Sequence, residues 1–551
     1  MDTEGLSRTS PSKRIVILGA GAAGLVALKT LCATPEFANG EWEVLCFERR
    51  HALGGIWLPD PTPPAPPILP QTPLYPSLTT NLPHPIMAFR DFAFPPSTPL
   101  YPPASTVLEY LNAYAMAFDV AKYIQFNTEV ESIQFVRSTD DKEGKWTISI
   151  HNTVTGTMQD HLDVNTLILA NGRHNLPHFP SATTDQESSS GPPPQLPGLA
   201  RWLESGHASH AMYYRIQPKI YRDCIVLVVG DGPSARDIAP EIASVAKQVW
   251  RSIRKHTTPK LETGVLKDSD NGATRPSQHS SINDELPIRI CAPIASLGPP
   301  SDTRSKDQAP NVLLVDGSAL VVDYIVFATG YELSFPFFPE DILEQHHDDI
   351  HQEHNALQGP HVNTPLSLYP QSLLPLLHHL LPSSPQLPLG SLFVLGLPRP
   401  VVPFPLVQAQ CHLLTATLQG RGQLRNILQE KGSGDERRTF DNGKVDPRNS
   451  TNPQVLSRGY HIFTPSDHQF DYRESLIRLS LPPTNGNEGQ AEVERMVPRW
   501  QRRVYEKKNT LRETWRELER RGHAEETVRN VGSGEDGEAE WVELMERLMK
   551  V

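Results

Sequence analysis

Three glycines near the start of the chain have the spacing of a phosphate-binding turn. An apolar segment, residues 15–18, precedes them, and a second apolar segment at helical spacing, residues 25–31, follows. Gly19 permits a tight turn, Gly21 lets the backbone approach a pyrophosphate, and Gly24 lets a helix pack closely on the strand. The phosphates would lie at the positive end of that helix, where backbone N–H groups can donate to them. These residues therefore predict a dinucleotide site.

An acid at the end of the next predicted strand strengthens this interpretation. Residues 43–47 are predicted to form that strand, and Glu48 follows where an acid for the adenosine ribose is expected. Beyond it, Gly54 and Gly55 suit a backbone pressed against a ligand, and Trp57 could cover a flat ring. An ordinary turn beside a core tryptophan would explain Gly55 and Trp57 as well.

A second turn of the same kind occurs in the middle of the chain. Residues 225–229 predict a strand, which leads through Gly230, Gly232 and Ser234 into a helix predicted over residues 236–245. Alanine replaces the third glycine, which this motif tolerates. A second dinucleotide unit is therefore predicted.

The strand after the second turn ends in a basic cluster instead of an acid. Residues 248–250 are predicted to form this strand, and residues 251–255 include three basic side chains, among them Arg254. A basic cluster accommodates a 2′-phosphate, so this unit is predicted to bind NADP in preference to NAD. The alternative is a solvated basic strand end.

These patterns predict an α/β fold with two nested Rossmann-like dinucleotide-binding domains. At 551 residues the chain is long enough for about three domains. The predicted divisions are the first part of one dinucleotide-binding domain, the inserted domain, the second part of the first domain, and a flexible segment with C-terminal helices: residues 1–211, 212–325, 326–430 and 431–551.

Charge and composition exclude several classes of protein. The formal net charge of −12 argues against a general nucleic-acid binder. The five cysteines include no Cys-x-x-Cys pair, a pattern typical of a reducing compartment. Residues 1–13 lack the apolar region of a signal peptide, and no apolar run reaches the length of a membrane span. We therefore predict a cytoplasmic protein without a membrane anchor; the sequence does not predict its oligomeric state.

A histidine-rich segment, residues 346–354, is the one candidate for metal binding. Two of its histidines have helical spacing, but the segment lacks matching distant ligands and the glutamate of a zinc-protease motif. We interpret it as a solvated surface loop, and no metal site is predicted.

Taken together, these stretches resemble the flavin-containing monooxygenases, which oxygenate amines and sulfides using FAD and NADPH. The resemblance covers most of residues 14–418 in the right order. The matching segments are the FAD fingerprint, the Gly-Gly-x-Trp, the Thr-Asn-x-Pro, the NADP turn, the Ser-x-Arg and the Phe-Ala-Thr-Gly-Tyr linker: residues 19–24, 54–57, 80–83, 230–234, 252–254 and 327–331.

The chain departs from the family pattern at two positions. In the string that identifies the family, Gly206, His210 and Tyr214 have the right spacing, but Glu204 stands where phenylalanine is usual. Asn171 replaces the threonine of the first Ala-Thr-Gly. Neither change removes a group that the chemistry requires.

The resemblance implies an FAD- and NADPH-dependent monooxygenase that inserts one oxygen atom of O2 into nitrogen or sulfur of a small molecule through a flavin hydroperoxide. It implies that Glu48 and the first glycines bind FAD, that Ser252 and Arg254 bind NADPH, and that Asn81 lies beside the reacting flavin. Gln408, in the last predicted core helix, is included with the cofactor-binding residues. Read alone, an asparagine before Leu-Pro is usually a turn residue.

Three other functions share some of these features. A Baeyer–Villiger monooxygenase uses the same cofactors on ketones, but usually carries tryptophan where Tyr214 stands. A flavin disulfide reductase needs a redox cysteine pair, and neither Cys32 nor Cys46 has a close partner. A non-catalytic nucleotide-binding flavoprotein remains compatible with the sequence.

Overall fold

The strand before the first glycine turn lies in the middle of a parallel five-stranded sheet. In the computed structural model its residues alternate between two cores, with Ile15 and Ile17 packing on one face and Val16 and Leu18 on the other. Both faces are covered, which is why the sequence is a continuous apolar run. In spatial order the strands are Leu392–Val394, Thr166–Leu169, Lys13–Leu18, Trp42–Phe47 and Ile124–Gln125.

The structure describes most of the chain and groups it into two compact units. One unit comprises Met1–Pro61, Pro76–Leu176 and Tyr331–Val551, and the other comprises Thr62–Tyr75 and Pro177–Gly330. The described residues within them are 11–60, 62, 64–137, 144–180, 196–215, 218–254, 288–300, 309–345, 365–424, 460–482 and 487–550.

The second unit is built on its own parallel five-stranded sheet. Its strands, in spatial order, are Ile288–Cys291, Gln248–Ser252, Ile225–Val229, Tyr324–Phe327 and Ala208–His210. Each sheet has a glycine turn and a helix directly after its central strand, so the predicted α/β fold with two Rossmann-like units is confirmed. The edge strand Ala208–His210 pairs with Tyr324–Phe327 and comes just before the predicted inserted domain, residues 212–325, a division that stays a prediction.

The remaining strands form smaller sheets around these two. The first unit has a three-stranded antiparallel sheet, and the second has another, formed by residues that lie between two strands of its main sheet. Their bounds are Thr128–Val136, Lys145–Asn152 and Met158–Val164, then Ile294–Leu297, Val312–Leu314 and Ala319–Leu320. Short strands cover Leu176–Pro177, Tyr331–Glu332, Leu343–Gln345, Leu366–Tyr369, Ser372–Leu374, Leu376–Leu377 and Leu381–Pro382.

Prolines set the start of two helices in the second half of the chain. Among the predicted C-terminal helices, Asn487–Met496 and Arg499–Glu506 are separate, because Pro498 caps the second and cannot continue the first. The last predicted core helix, which carries Gln408, begins at Pro403, in the first turn where proline is tolerated. None of the described helices is long and apolar enough to cross a membrane.

The helix bounds are as follows. The α-helices cover Ala22–Cys32, Pro35–Ala38, His84–Met87, Ala104–Ala117, Leu199–Glu204, Pro233–Ala243, Pro403–Leu418, His468–Ser480, Asn487–Met496, Arg499–Glu506, Lys508–Arg521, Ala524–Val528 and Gly537–Leu548. The 3-10 helices cover Gly55–Trp57, Ala121–Tyr123, Ala211–Tyr213 and Pro218–Tyr221.

Candidate functional site

Two of the three glycines in the first turn are required by the fold itself. Gly19 has a φ of +103°, and a Cβ there would lie 2.7 Å from the carbonyl oxygen of Ala170. A Cβ on Gly24 would lie 1.9 Å from the carbonyl oxygen of Gly19. Any side chain at either position would therefore force the helix away from the sheet.

The middle glycine has a different environment, which suits a ligand. Gly21 caps the helix Ala22–Cys32, and no side chain bonds to the N–H groups of its first turn. A Cβ on Gly21 would lie 3.4 Å from the Cα of Gly55, and Gly55 itself has a φ of +56°. Two backbones without side chains thus border an uncapped, positive helix end, which fits a pyrophosphate.

Glu48 is held in place by the same turn. Its side chain is 6% exposed, and its Oε2 accepts the backbone N–H of Ala20 at 2.8 Å. Its Oε1 accepts the backbone N–H of Arg50 at 2.9 Å. Each carboxylate oxygen keeps a further lone pair that can accept a ribose hydroxyl.

Arg50 is a supporting residue that the sequence analysis missed. Its guanidinium is buried, and it donates to the carbonyl oxygens of Gly55 at 3.0 Å, Leu58 at 2.8 Å and Pro59 at 2.9 Å. It therefore fixes the segment that carries Gly55 and Trp57. Trp57 is half-buried against the core, and its contact with a flat ring stays a prediction. The sequence offers only the position of Arg50, two residues after the ribose acid, as a signal, because burial is a property of the fold.

Asn81 lies in an exposed turn whose neighbours are fixed. The hydroxyl of Thr80 donates to the carbonyl oxygen of Leu82 at 2.8 Å, and the N–H of Thr80 donates to Pro102 at 3.0 Å. The side chain of Asn81 is exposed and makes no hydrogen bond with the described residues. Its amide is therefore available to a ligand on a backbone that is already ordered.

The C-terminal helices hold the segment around Asn81. Arg512 donates from Nη2 to the Thr79 hydroxyl at 2.9 Å, and its guanidinium lies 4.2 Å from the centre of the Tyr101 ring. Trp541 packs edge-on against His84, with ring centres 4.4 Å apart. Burial lowers the pKa of His84 to about 3, so this histidine is neutral and serves packing.

The second glycine turn is open where a ligand would bind. Gly230 has a φ of +130°, and a Cβ there would lie 2.4 Å from the carbonyl oxygen of Ala328. Gly232 caps the helix Pro233–Ala243 without help from a side chain, and a Cβ on it would meet nothing within 4 Å. Ser234 is half-buried in the first turn of that helix.

Of the two described arginines at the end of the strand Gln248–Ser252, one forms an ion pair and the other does not. Arg251 forms an ion pair with Asp231 at 2.5 Å, and Arg236 contacts the same carboxylate at 3.2 Å. Ser252 is buried and donates its hydroxyl to the carbonyl oxygen of Ala292 at 3.0 Å. Arg254 is exposed and has no ion pair within the described residues. Arg254 is therefore the better candidate for a 2′-phosphate.

Gln408 is engaged within its own unit. Its Oε1 accepts the backbone N–H of Arg90 at 2.8 Å, and its Nε2 donates to Asp91 Oδ1 at 3.0 Å. The residue is 3% exposed. The structure thus places this predicted cofactor-binding side chain in a buried hydrogen-bond pair.

The residues of the string that identifies the family run from the end of the helix Leu199–Glu204 through the edge strand Ala208–His210. His210 ends the edge strand of the second sheet, and its Nδ1 accepts the backbone N–H of Met212 at 3.1 Å. Burial lowers the pKa of His210 to about 4, so the ring is neutral. Glu204 is exposed at the end of its helix, which explains why phenylalanine is dispensable there. Asn171 donates to the carbonyl oxygen of Ser334 at 3.2 Å.

In the described part of the chain, one group of side chains could hold a metal ion. It consists of Glu129, Glu131 and His151 on the three-stranded antiparallel sheet of the first unit. His151 Nδ1 lies 3.2 Å from Glu131 Oε1, so these two side chains already contact each other directly. The histidine-rich segment, residues 346–354, lies outside the described residues.

The fold and the two glycine turns define a protein that binds two dinucleotides. The sequence model of the flavin-binding monooxygenase-like family matches residues 12–259 and 267–363. The chain belongs to this family, and it is an NADPH-dependent flavin monooxygenase that uses FAD.

Relatives and solved structures agree with this assignment. An Arabidopsis thaliana protein, flavin-containing monooxygenase FMO GS-OX-like 2, is 26% identical over 92% of each chain. A Rattus norvegicus dimethylaniline monooxygenase [N-oxide-forming] is 27% identical over 64% of this chain and 68% of its own. The structure of S-allyl-L-cysteine S-oxygenase from Allium sativum has the same fold, with a TM-score of 0.63, 22% identity and coverage of 98% and 99%.

Proposed function

We propose that this monooxygenase transfers one oxygen atom of O2 to a nitrogen or sulfur atom of a small molecule. The observation that carries the proposal is the exposed amide of Asn81 on an ordered turn. The names of the relatives support the two acceptor atoms, since one forms N-oxides and a structural neighbour oxygenates a sulfide. Soft nucleophiles of this kind need no general base.

The residues of the chain have distinct roles in this proposal. In the unit that contains Gly21, the helix end binds the FAD pyrophosphate and Glu48 accepts the ribose hydroxyls. The unit Thr62–Tyr75 with Pro177–Gly330 binds NADPH at Gly232 and Arg254. When bound and reduced, FAD would supply the activated oxygen. The role of Asn81 would be to donate a hydrogen bond from its side-chain amide where charge develops.

A panel of substrates tests this function. The FAD-loaded enzyme is given NADPH and a thioether, a tertiary amine or a cyclic ketone, and products are identified by mass. We expect a gain of one oxygen with the thioether or the amine. Conversion of the ketone alone would assign the enzyme to ketone oxygenation, and NADPH oxidation without any product would contradict oxygen transfer.

Arg254→Ala is expected to weaken NADPH binding about 10- to 150-fold. A hydrogen bond to a charged partner contributes roughly 1.5–3 kcal/mol, which converts to this range. Binding of NADH should barely change, because NADH lacks the 2′-phosphate. Affinities can be measured by the rate of flavin reduction as a function of cofactor concentration.

Arg222→Ala is the matched control, since Arg222 is also an exposed arginine of the second unit. It should leave the affinities for both cofactors unchanged. An equal loss of NADPH and NADH affinity in Arg254→Ala would mean that Arg254 supports the fold and does not select the phosphate.

Arg512→Gln is expected to lower the yield of product per NADPH about 2- to 10-fold. The lost hydrogen bond to Thr79 contributes roughly 0.5–1.5 kcal/mol to holding the Asn81 turn. The rate of flavin reduction should not change, because Arg512 is a positioning residue for the turn. Arg512→Lys should restore part of the yield. An unchanged yield, with a thermal midpoint lowered as in the exposed control Arg521→Gln, would contradict this role.

A further inference from the structure

Two arginines meet at the carboxyl ends of neighbouring strands in the first sheet. Arg173 follows the strand Thr166–Leu169, and Arg399 follows the strand Leu392–Val394. These strands are parallel, with Leu169 opposite Val394, so both arginines leave the same edge of the sheet. In open α/β sheets this is the edge where ligands bind.

Backbone contacts hold the two arginines side by side. Arg173 donates from Nη1 to the carbonyl oxygens of Leu397 at 3.0 Å and Pro398 at 2.9 Å, directly before Arg399. The backbone of Arg399 is held by a distant segment: its N–H donates to the carbonyl oxygen of His461 at 2.8 Å, and its carbonyl oxygen accepts the N–H of Phe463 at 2.8 Å. The Arg399 guanidinium also donates to the Gln371 side chain. Both positions are therefore preorganised.

Neutral imidazoles surround the arginines. His174 is half-buried with its ring against Tyr331, at 4.9 Å between ring centres. Burial, reinforced by the two arginines, lowers the pKa of His174 to about 3. His461 is 2% exposed, and its Nδ1 lies 3.0 Å from Nδ1 of His379. Burial also holds the pKa of His461 well below its usual value, so His174 and His461 can donate hydrogen bonds but add no positive charge to that of the two arginines.

The charge of this group is not balanced by the residues that surround it. Neither Arg173 nor Arg399 forms an ion pair with a carboxylate in the stretches that the structure describes. Burial and the charge of Arg399 lower the pKa of Arg173 to about 10, which leaves it charged at neutral pH. Enclosed like charges are costly unless a counter-charge is present. Both side chains are half-buried, so a ligand can reach them.

We propose that Arg173 and Arg399 form a binding site for the carboxylate of an organic acid. The planar guanidinium groups match a carboxylate with paired hydrogen bonds, and His174 lies close enough for both arginines to affect its pKa. The strand order places the two arginines on one side of the first glycine turn and Glu48 on the other. The arginine site is therefore separate from the ribose end of the FAD site.

This inference rests on the proposed oxygenation of nitrogen or sulfur for its substrate. Combined with it, the arginine site favours substrates that carry a carboxylate together with a thioether or an amine. A neutral analogue of the same size would lack the charge that compensates the two arginines, so the enzyme should discriminate against it.

The test compares 3-(methylthio)propanoate with 3-(methylthio)propanamide, which differ in charge but little in size. With the FAD-loaded enzyme, we expect the KM of the acid to be about 10- to 100-fold lower than that of the amide. Arg173→Gln and Arg399→Gln should each raise the KM of the acid and leave that of the amide within about twofold. Arg173→Lys should keep part of the preference, and the exposed control Arg137→Gln should keep all of it.

A binding measurement separates this site from the proposed function. The acid, and not the amide, should raise the thermal midpoint of the FAD-loaded wild-type enzyme, and Arg399→Gln should abolish the shift. If this holds although neither compound is oxygenated, the site stands and the proposed function fails. Equal binding of acid and amide by the wild type would overturn the site. An equal shift with inorganic phosphate, or loss of FAD in both glutamine variants, would overturn the carboxylate assignment.

Discussion

Replacing Asn81 with leucine is expected to lower the rate of oxygenated product formation about 100- to 1000-fold. This is the usual cost of removing one preorganised hydrogen-bond donor where charge develops. Leucine has a similar volume but neither donates nor accepts. The turn should survive, because Thr80 is fixed by bonds to Leu82 and Pro102 that do not involve Asn81. NADPH should still be consumed, with hydrogen peroxide released in place of product.

Stopped-flow flavin reduction, peroxide yield and product yield together measure this effect. Reduction by NADPH should be nearly unchanged in Asn81→Leu, whereas peroxide should account for most of the NADPH consumed. Asn112→Leu is the matched control, since its exposed amide bonds only to the carbonyl oxygen of Leu108 in its own helix. Unchanged product per NADPH in Asn81→Leu would show that Asn81 is a turn residue.

Gly21→Val is expected to yield a folded protein that retains little or no FAD. The backbone conformation of Gly21 is open to any residue, and a Cβ would meet Gly55 at an ordinary distance of 3.4 Å. The two additional methyl groups would then occupy the space at the helix end where the pyrophosphate binds. The flavin-to-protein ratio after purification, read from absorbance, measures the loss.

Two other glycine variants serve as controls that separate loss of FAD from loss of the fold. Gly24→Ala should destabilise the fold itself, because its Cβ would lie 1.9 Å from the carbonyl oxygen of Gly19. Gly232→Val should retain FAD and weaken only NADPH, since it lies in the second unit. A Gly21→Val protein that carried a full complement of flavin would refute the assignment of FAD to the first turn.

The elements around both glycine turns could be predicted because their signals are local. The strand Lys13–Leu18, the turn and the helix Ala22–Cys32 occur as expected, since an apolar run, three glycines and a helical apolar pattern all lie within 20 residues. Glu48 also lies where the motif places it, at the end of Trp42–Phe47. In each case the physical constraint acts between neighbours in the sequence.

The residues that sequence reasoning missed depend on contacts between distant segments. Arg512 reaches Thr79 across 433 positions, and no local pattern encodes that pairing. Gln408 and Ser252 show a second difficulty, because a motif fixes which residue is present but not where its side chain points. Both side chains bond to the backbone, Gln408 to the N–H of Arg90 and Ser252 to the carbonyl oxygen of Ala292.

The contact between Arg512 and Thr79 also has a consequence for the order in which the protein is made. A ribosome that has released Thr79 must add 433 further residues before Arg512 exists. At about 5–20 residues per second, this takes roughly 20–90 s. Both glycine turns and the last strand of each sheet, which ends at Phe327 or Val394, are complete before Arg512 is added, so dinucleotides can bind before the Asn81 turn is secured. The chain can thus bind cofactor at an earlier stage of its synthesis than it can transfer oxygen.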